Sequence, residues 1–71
     1  MKHRKLDYVY LRAWNRMMHS DADWHLDRAR EEGAPEDAVY LNSMGRWVRF
    51  TEVNSGLTRQ LIEDEVERLR T

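Results

Sequence analysis

His19, Asp21, Asp23, His25 and Asp27 place two imidazoles and three carboxylates within nine residues of chain. Such groups can hold zinc or another divalent ion, imidazole through nitrogen and carboxylate through oxygen. On an unbroken helix His19, Asp23 and Asp27 would share one face, and Asp21 and His25 another. The spacing matches no established metal motif, and a helix break is expected inside it. Helix-start carboxylates and solvated histidines account for every member. No metal or other cofactor is therefore assigned, and whether His19, Asp23 and His25 converge is a question for the geometry.

The rest of the chain assembles no catalytic constellation. Acid–base catalysis needs a carboxylate or imidazole in a sheltered cleft, and the acids here fall on expected outer faces. Ser20, Ser43 and Ser55 sit at expected caps and loops, outside any nucleophile-elbow context. Gly33, Gly45 and Gly56 are too far apart to form a phosphate-cradling loop and read as turn punctuation. The absence of cysteine excludes disulfides, thiolate metal sites and thiol nucleophiles. A non-enzymatic protein is expected.

The elements that position these residues follow from periodicity. Leu6, Val9, Tyr10, Ala13, Trp14 and Met17 recur at three-and-four spacing, which predicts a first helix from Lys5 to Met18. His19-Ser20-Asp21 interrupts it. Ser20 followed by Asp23 fits a variant of the capping box and opens a second helix over residues 21–32. Gly33 is its left-handed stop and Pro35 forbids continuation. The apolar content of that helix is thin, chiefly Trp24, Ala29 and Leu26, so it should be half exposed. One long bent helix is the competing picture.

From Ala38 the period changes to two. Val39-Tyr40-Leu41 and Trp47-Val48-Arg49-Phe50 flank a hairpin loop of Asn42-Ser43-Met44-Gly45. The simplest register sets Leu41 against Arg46, Tyr40 against Trp47 and Val39 against Val48. Val39, Leu41, Val48 and Phe50 then face the helices, because a lone hairpin is marginal. Tyr40, Trp47 and Arg49 face outward, with Met44 at the loop, and these are residue types enriched at binding hot spots. A last helix begins after Asn54-Ser55-Gly56. Leu57, Leu61, Ile62, Val66 and Leu69 form its inward stripe, and Arg59–Glu63 and Asp64–Arg68 its outer pairs. The fold class is α+β: one small domain over residues 1–71, with two N-terminal helices, a β-hairpin and a C-terminal helix (ααββα). Residues 1–4 should be flexible.

The net charge of −1 conceals a polarised layout. Residues 1–16 carry Lys2, Arg4, Lys5, Arg12 and Arg16 against Asp7 alone. Residues 17–37 carry Asp21, Asp23, Asp27, Glu31, Glu32, Glu36 and Asp37 against Arg28 and Arg30. Such a chain can steer toward a charged partner by either end, or lay its basic helix beside its acidic one. No apolar run reaches the roughly 18 residues of a membrane span, and no signal-type stretch follows Met1-Lys2-His3-Arg4-Lys5. A reducing, cytoplasmic setting without membrane contact is expected.

Two segments resemble a known group of DNA-binding proteins. Tyr8-Val9-Tyr10-Leu11-Arg12-Ala13-Trp14-Asn15 is similar to the opening helix of small phage excisionases. Gly45-Arg46-Trp47-Val48-Arg49-Phe50-Thr51-Glu52-Val53 resembles the wing and following helix start of the excisionase and MerR-like winged-helix group. The resemblance covers residues 8–53 and implies a helix–turn–helix, with residues 24–33 in the recognition-helix position and the hairpin wing on the backbone. Lys2, Arg4, Lys5, Arg28, Arg46 and Arg49 would then contact nucleic acid. The chain departs from the pattern where it matters. Asp21, Asp23, Asp27, Glu31 and Glu32 crowd the recognition-helix position, and phosphate neutralisation dominates DNA affinity.

Protein–protein interaction is therefore the leading expectation, with winged-helix DNA binding as the alternative. Stand-alone chains of this size are often regulators or inhibitors carried by phages and other mobile elements. The mechanism would be occlusion of a working surface on a host protein. Either the Tyr40/Trp47/Arg49 face or the acidic stretch would dock, the latter suiting a nucleic-acid-binding partner because its carboxylates would lie where phosphates do. A homodimer is a further expected partner state, since a core this small gains from one and Trp24 has no obvious partner.

Overall fold

The computed structural model describes residues 7–71. Along the chain run α1 (Val9–Met18), α2 (Ala22–Glu32), β1 (Ala38–Leu41), β2 (Trp47–Arg49), a 3₁₀ turn (Phe50–Glu52) and α3 (Gly56–Arg70). This is the expected ααββα order of a small α+β domain. Among the described residues no helix is long and apolar enough to cross a membrane.

The first helix begins later than its periodicity suggests. Tyr8 takes a left-handed backbone (φ 50°, ψ 47°), which stops the helix short of Asp7. Left-handed geometry costs a β-carbon-bearing residue about 1–2 kcal/mol. What holds it is the side chain: Tyr8 is buried, and its hydroxyl donates to the Ala34 carbonyl oxygen at 2.8 Å, closing the start of α1 onto the end of α2. The remaining expected start, Lys5 and Leu6, lies outside the described residues, as does the 1–4 segment.

Two helices, not one bent helix, fill residues 9–32. His19 is left-handed (φ 56°), with its N–H on the Arg16 carbonyl and the Ser20 N–H on the Asn15 carbonyl. Gly33 (φ 67°) repeats this arrangement at the end of α2, with bonds to Arg30 and from Ala34 to Ala29. Both are Schellman-type stops. The cap of α2 is Asp21 rather than Ser20: its carboxylate accepts the Trp24 N–H at 3.2 Å, because the helix starts one residue later than the Ser20 box requires.

The hairpin register is also one residue away from the expected one. Leu41 faces Trp47, Tyr40 faces Val48 and Ala38 faces Arg49, with an irregularity at Val39. The Asn42 side-chain oxygen gathers the N–H groups of Met44 and Arg46, and the Asn42 N–H donates to the Arg46 carbonyl. Asn42, the first residue beyond β1, thus closes the loop onto Arg46, and left-handed Gly45 (φ 80°) completes the turn. A one-residue slip moves a strand's side chains to the opposite face. Trp47 accordingly turns inward with Leu41.

Every element packs around α1. On one side Tyr8 and Leu11 meet Ala29, Ala34, Ala38 and Trp47, with Leu26 and Leu41 at the margin. On the other, Ala13 meets Val39, Phe50, Ile62 and Val66, with Tyr10, Trp14 and Tyr40 packed against them. Tyr10 stacks on Phe50 (centroids 4.6 Å apart) and Trp14 on Tyr40 (5.1 Å). Buried Asn15 donates back to the Leu11 carbonyl at 2.7 Å.

α3 is capped by the Ser55 hydroxyl, which accepts the Thr58 N–H at 3.1 Å. Its inward stripe is Ile62, Glu65, Val66 and Leu69, and Leu57 (72 % exposed) and Leu61 (47 %) point to solvent, contrary to expectation. At about 100° per residue, Leu61 falls about 90° from the centre of that stripe and Leu57 about 130°, which leaves both outside the contact with α1. The buried Glu65 carboxylate reaches Arg16 of α1 at 2.7 Å and Arg68 at 2.8 Å, so Arg68 pairs there instead of with Asp64. Arg59 lies over the Phe50 ring at 5.2 Å instead of turning to Glu63.

Candidate interaction surface

The register decides the fate of the expected hairpin face. Trp47 is 9 % exposed, and its indole N–H donates to the Glu32 carboxylate at 2.8 Å. Tyr40 is half-buried on Trp14. Arg49 is exposed, with its Nε on the Asp37 carboxylate at 2.7 Å. Met44 stands alone at the loop tip, 87 % exposed. Tyr40, Trp47 and Arg49 therefore do not share an open face, because Trp47 pairs with Leu41 and not with Tyr40.

The ligand-type residues between His19 and Asp27 are dispersed by the helix break. His19 serves as the left-handed stop of α1 and Asp21 as the cap of α2. His25 turns its Nδ1 to the Asp21 carbonyl at 2.8 Å. Among the described residues no three histidine, aspartate or glutamate side chains converge to hold a metal ion.

α2 carries the strongest surface signal. Only Ala29 is fully buried along its length, so most of its side chains face solvent. Asp23, Asp27, Glu31 and Glu32 are exposed with Trp24, a residue that remains 51 % accessible. Arg28 lies over that ring at 5.4 Å and His25 meets it edge-on at 4.9 Å. Arg28 also pairs with Glu32, the acceptor of the Trp47 N–H. Hydrogen bonds from Arg28 first, then Trp47, hold the Glu32 carboxyl below its ordinary range. Asp23 and Glu31 have no ion-pair or hydrogen-bond partner among the described residues.

The described cations of the expected nucleic-acid face are engaged one by one: Arg28 meets Glu32, Arg46 meets Glu52 (3.1 Å) and Arg49 meets Asp37. Arg30, also on α2, meets Asp27 (3.9 Å). The Glu52 carboxyl is held low mainly by the Arg49 backbone N–H at 2.9 Å, then by Arg46. Lys2, Arg4 and Lys5 lie outside the described residues.

A shallow depression of about 380 Å³ opens where α1 begins, between Asp7, Tyr10, Glu36, Asp37, Arg49 and Arg70. Its lining mixes both signs of charge. Tyr8 also borders it, but burial raises its phenol and the hydroxyl is committed to Ala34. Sequence reasoning located the acidic stretch but not Trp24 as its exposed centre. The available signal was the thin apolar content of α2, which leaves a tryptophan there without a core to enter. The chain matches no family model, no curated protein and no solved structure.

Proposed function

We propose that this is a small non-enzymatic regulatory protein of the phage or mobile-element type, which binds a host protein and occludes a functional surface with the outer face of α2. One observation carries the reading: a half-exposed tryptophan stands among carboxylates, two of which, Asp23 and Glu31, have no partner among the described residues. Tryptophan is enriched at the energetic centres of interfaces, and uncompensated charge selects a partner of opposite sign. A basic surface on a nucleic-acid-binding protein fits best, since α2 would occupy the place of phosphates.

The element order favours a second reading. Two helices joined by three residues and followed by a hairpin suit the winged-helix resemblance, with α2 as the recognition helix. Against it stands electrostatics. Duplex binding would have to break the ion pairs of Arg28, Arg30, Arg46 and Arg49 while bringing Asp23 and Glu31 toward phosphate.

Affinity capture from a bacterial lysate, with and without nuclease, separates the two. A stoichiometric protein retained after nuclease and lost with Trp24→Ala supports occlusion. Retention that vanishes with nuclease, together with a salt-sensitive duplex shift abolished by Arg46→Glu and Arg49→Glu, supports the winged helix instead.

A further inference from the structure

Trp24 is braced from the core outward. Trp47, in the core beneath the hairpin, donates to Glu32; Glu32 pairs with Arg28; Arg28 lies over the Trp24 ring. His25 closes one edge of that ring at an interplanar angle of 87°. A surface aromatic ordinarily samples several rotamers, and ordering it costs free energy on binding. Here part of that ordering precedes the partner.

The open part of the ring lies in a negative field. Asp27 neighbours Trp24 on the helical net, three residues after it, and Glu31 lies two turns along the same face; Asp23, next in sequence, projects from the adjoining side of the helix. An indole face attracts cations through its quadrupole, and nearby carboxylates add to the attraction. Guanidinium suits this setting better than ammonium. It is planar and weakly hydrated, it stacks on aromatic rings, and its fork can meet a carboxylate at the same time. A second copy of the chain does not suit it, because two α2 faces would oppose carboxylate to carboxylate.

We infer that the outer face of α2 is a docking site for an arginine-bearing segment of the partner protein. One arginine stacks on Trp24 and donates to Asp27. Arg28 and Glu32 are positioning residues that hold the ring for it. This rests on the reading of α2 as the protein-binding surface, and adds the chemistry that the surface selects.

The probes are three short synthetic peptides of one design, carrying arginine, lysine or citrulline at the same positions. They are titrated at low ionic strength into the ¹⁵N-labelled full chain. The arginine peptide should shift the indole N–H resonance of Trp24 and leave those of Trp14 and Trp47 in place. The lysine peptide should bind several-fold more weakly, and the neutral citrulline peptide should not bind. Trp24→Ala should weaken arginine-peptide binding about tenfold, in keeping with a partly desolvated cation–π contact. Glu32→Gln should weaken it about two- to threefold while the far-UV spectrum stays native, an effect that a purely structural role for Glu32 would not produce. Equal affinity for arginine and lysine peptides, indifferent to Trp24→Ala, would reduce the site to unspecific charge attraction and overturn the inference. An unmoved Trp24 resonance, with partner capture still lost in Trp24→Ala, would overturn it and leave the parent reading standing. Capture unaffected by Trp24→Ala would overturn that reading itself.

Discussion

Replacing Trp47 by alanine discriminates most sharply between the observed hairpin and the register expected from alternation. In the observed register the indole is 9 % exposed and packs with Tyr8, Leu11, Ala29, Ala34 and Ala38. Truncating a buried tryptophan to alanine costs about 3–5 kcal/mol, transfer and cavity together. A core of this size supplies a net stability of roughly 3–5 kcal/mol. The substitution therefore removes most or all of it. In a domain this small each 1 kcal/mol moves the midpoint by about 4–8 °C, so the loss exceeds about 12 °C. Thermal and urea melts followed by far-UV circular dichroism should show Trp47→Ala largely unfolded at 25 °C. Trp47→Phe keeps most of the ring and should remain folded with a lowered midpoint. Trp24→Ala, at a half-exposed position, should melt within a few degrees of the parent. A Trp47→Ala protein that melts cooperatively within about 2 °C of the parent would refute the buried position, and with it the Leu41–Trp47 pairing.

The two leucines of α3 offer a parallel contrast: Leu57→Ser should change stability by no more than about 0.5 kcal/mol, whereas Ile62→Ala should cost about 2–5 kcal/mol, both read from urea midpoints. Gly33→Ala places a β-carbon at φ 67°; nothing lies within 4 Å of it, so the cost is backbone strain alone, about 1 kcal/mol, visible as a midpoint lowered by several degrees. Acid should weaken the fold through Glu32, Glu52 and Glu65, whose folded carboxyls sit below their ordinary value of 4.5. Their contribution is complete above that value and is lost as pH falls through the lower folded values. Urea midpoints should thus be flat from neutral pH down to about pH 5 and decline below it, and Glu65→Gln should flatten the decline.

The element order was legible because punctuation residues mark its joints. Gly33 and Pro35 end the helical half, Asn42 to Gly45 turn the chain, and Asn54-Ser55-Gly56 opens the last helix. What alternation could not supply was the role of the Asn42 side chain. Its bonds to Met44 and Arg46 fix how the loop closes, and with it the register that buries Trp47 as well as Val39, Val48 and Phe50. The α3 stripe misled for a related reason. Leu57 and Leu61 satisfy helical spacing as well as Ile62, Val66 and Leu69 do, and only the packing on α1 and the Arg16–Glu65 pair rank them. Part of the candidate site was visible as a run of acids on a helix with little to bury. The orientation of Trp24 was not, because the Arg28–Glu32–Trp47 brace joins α2 to a strand distant in sequence.

The attachment of α2 has a consequence for how such a protein diversifies. Ala29 is the only residue of the helix fully enclosed by the fold, and the Tyr8–Ala34 clasp fixes the chain just beyond its end. Positions 23, 24, 27 and 31 are thereby freed from the folding problem. Substitutions there can accumulate without eroding the scaffold, so, on the proposed reading of α2, a few changed codons on one helix suffice to change the target. Under the proposed docking role of α2, relatives should vary at these four positions while Tyr8, Leu11, Ala29 and Trp47 stay constant.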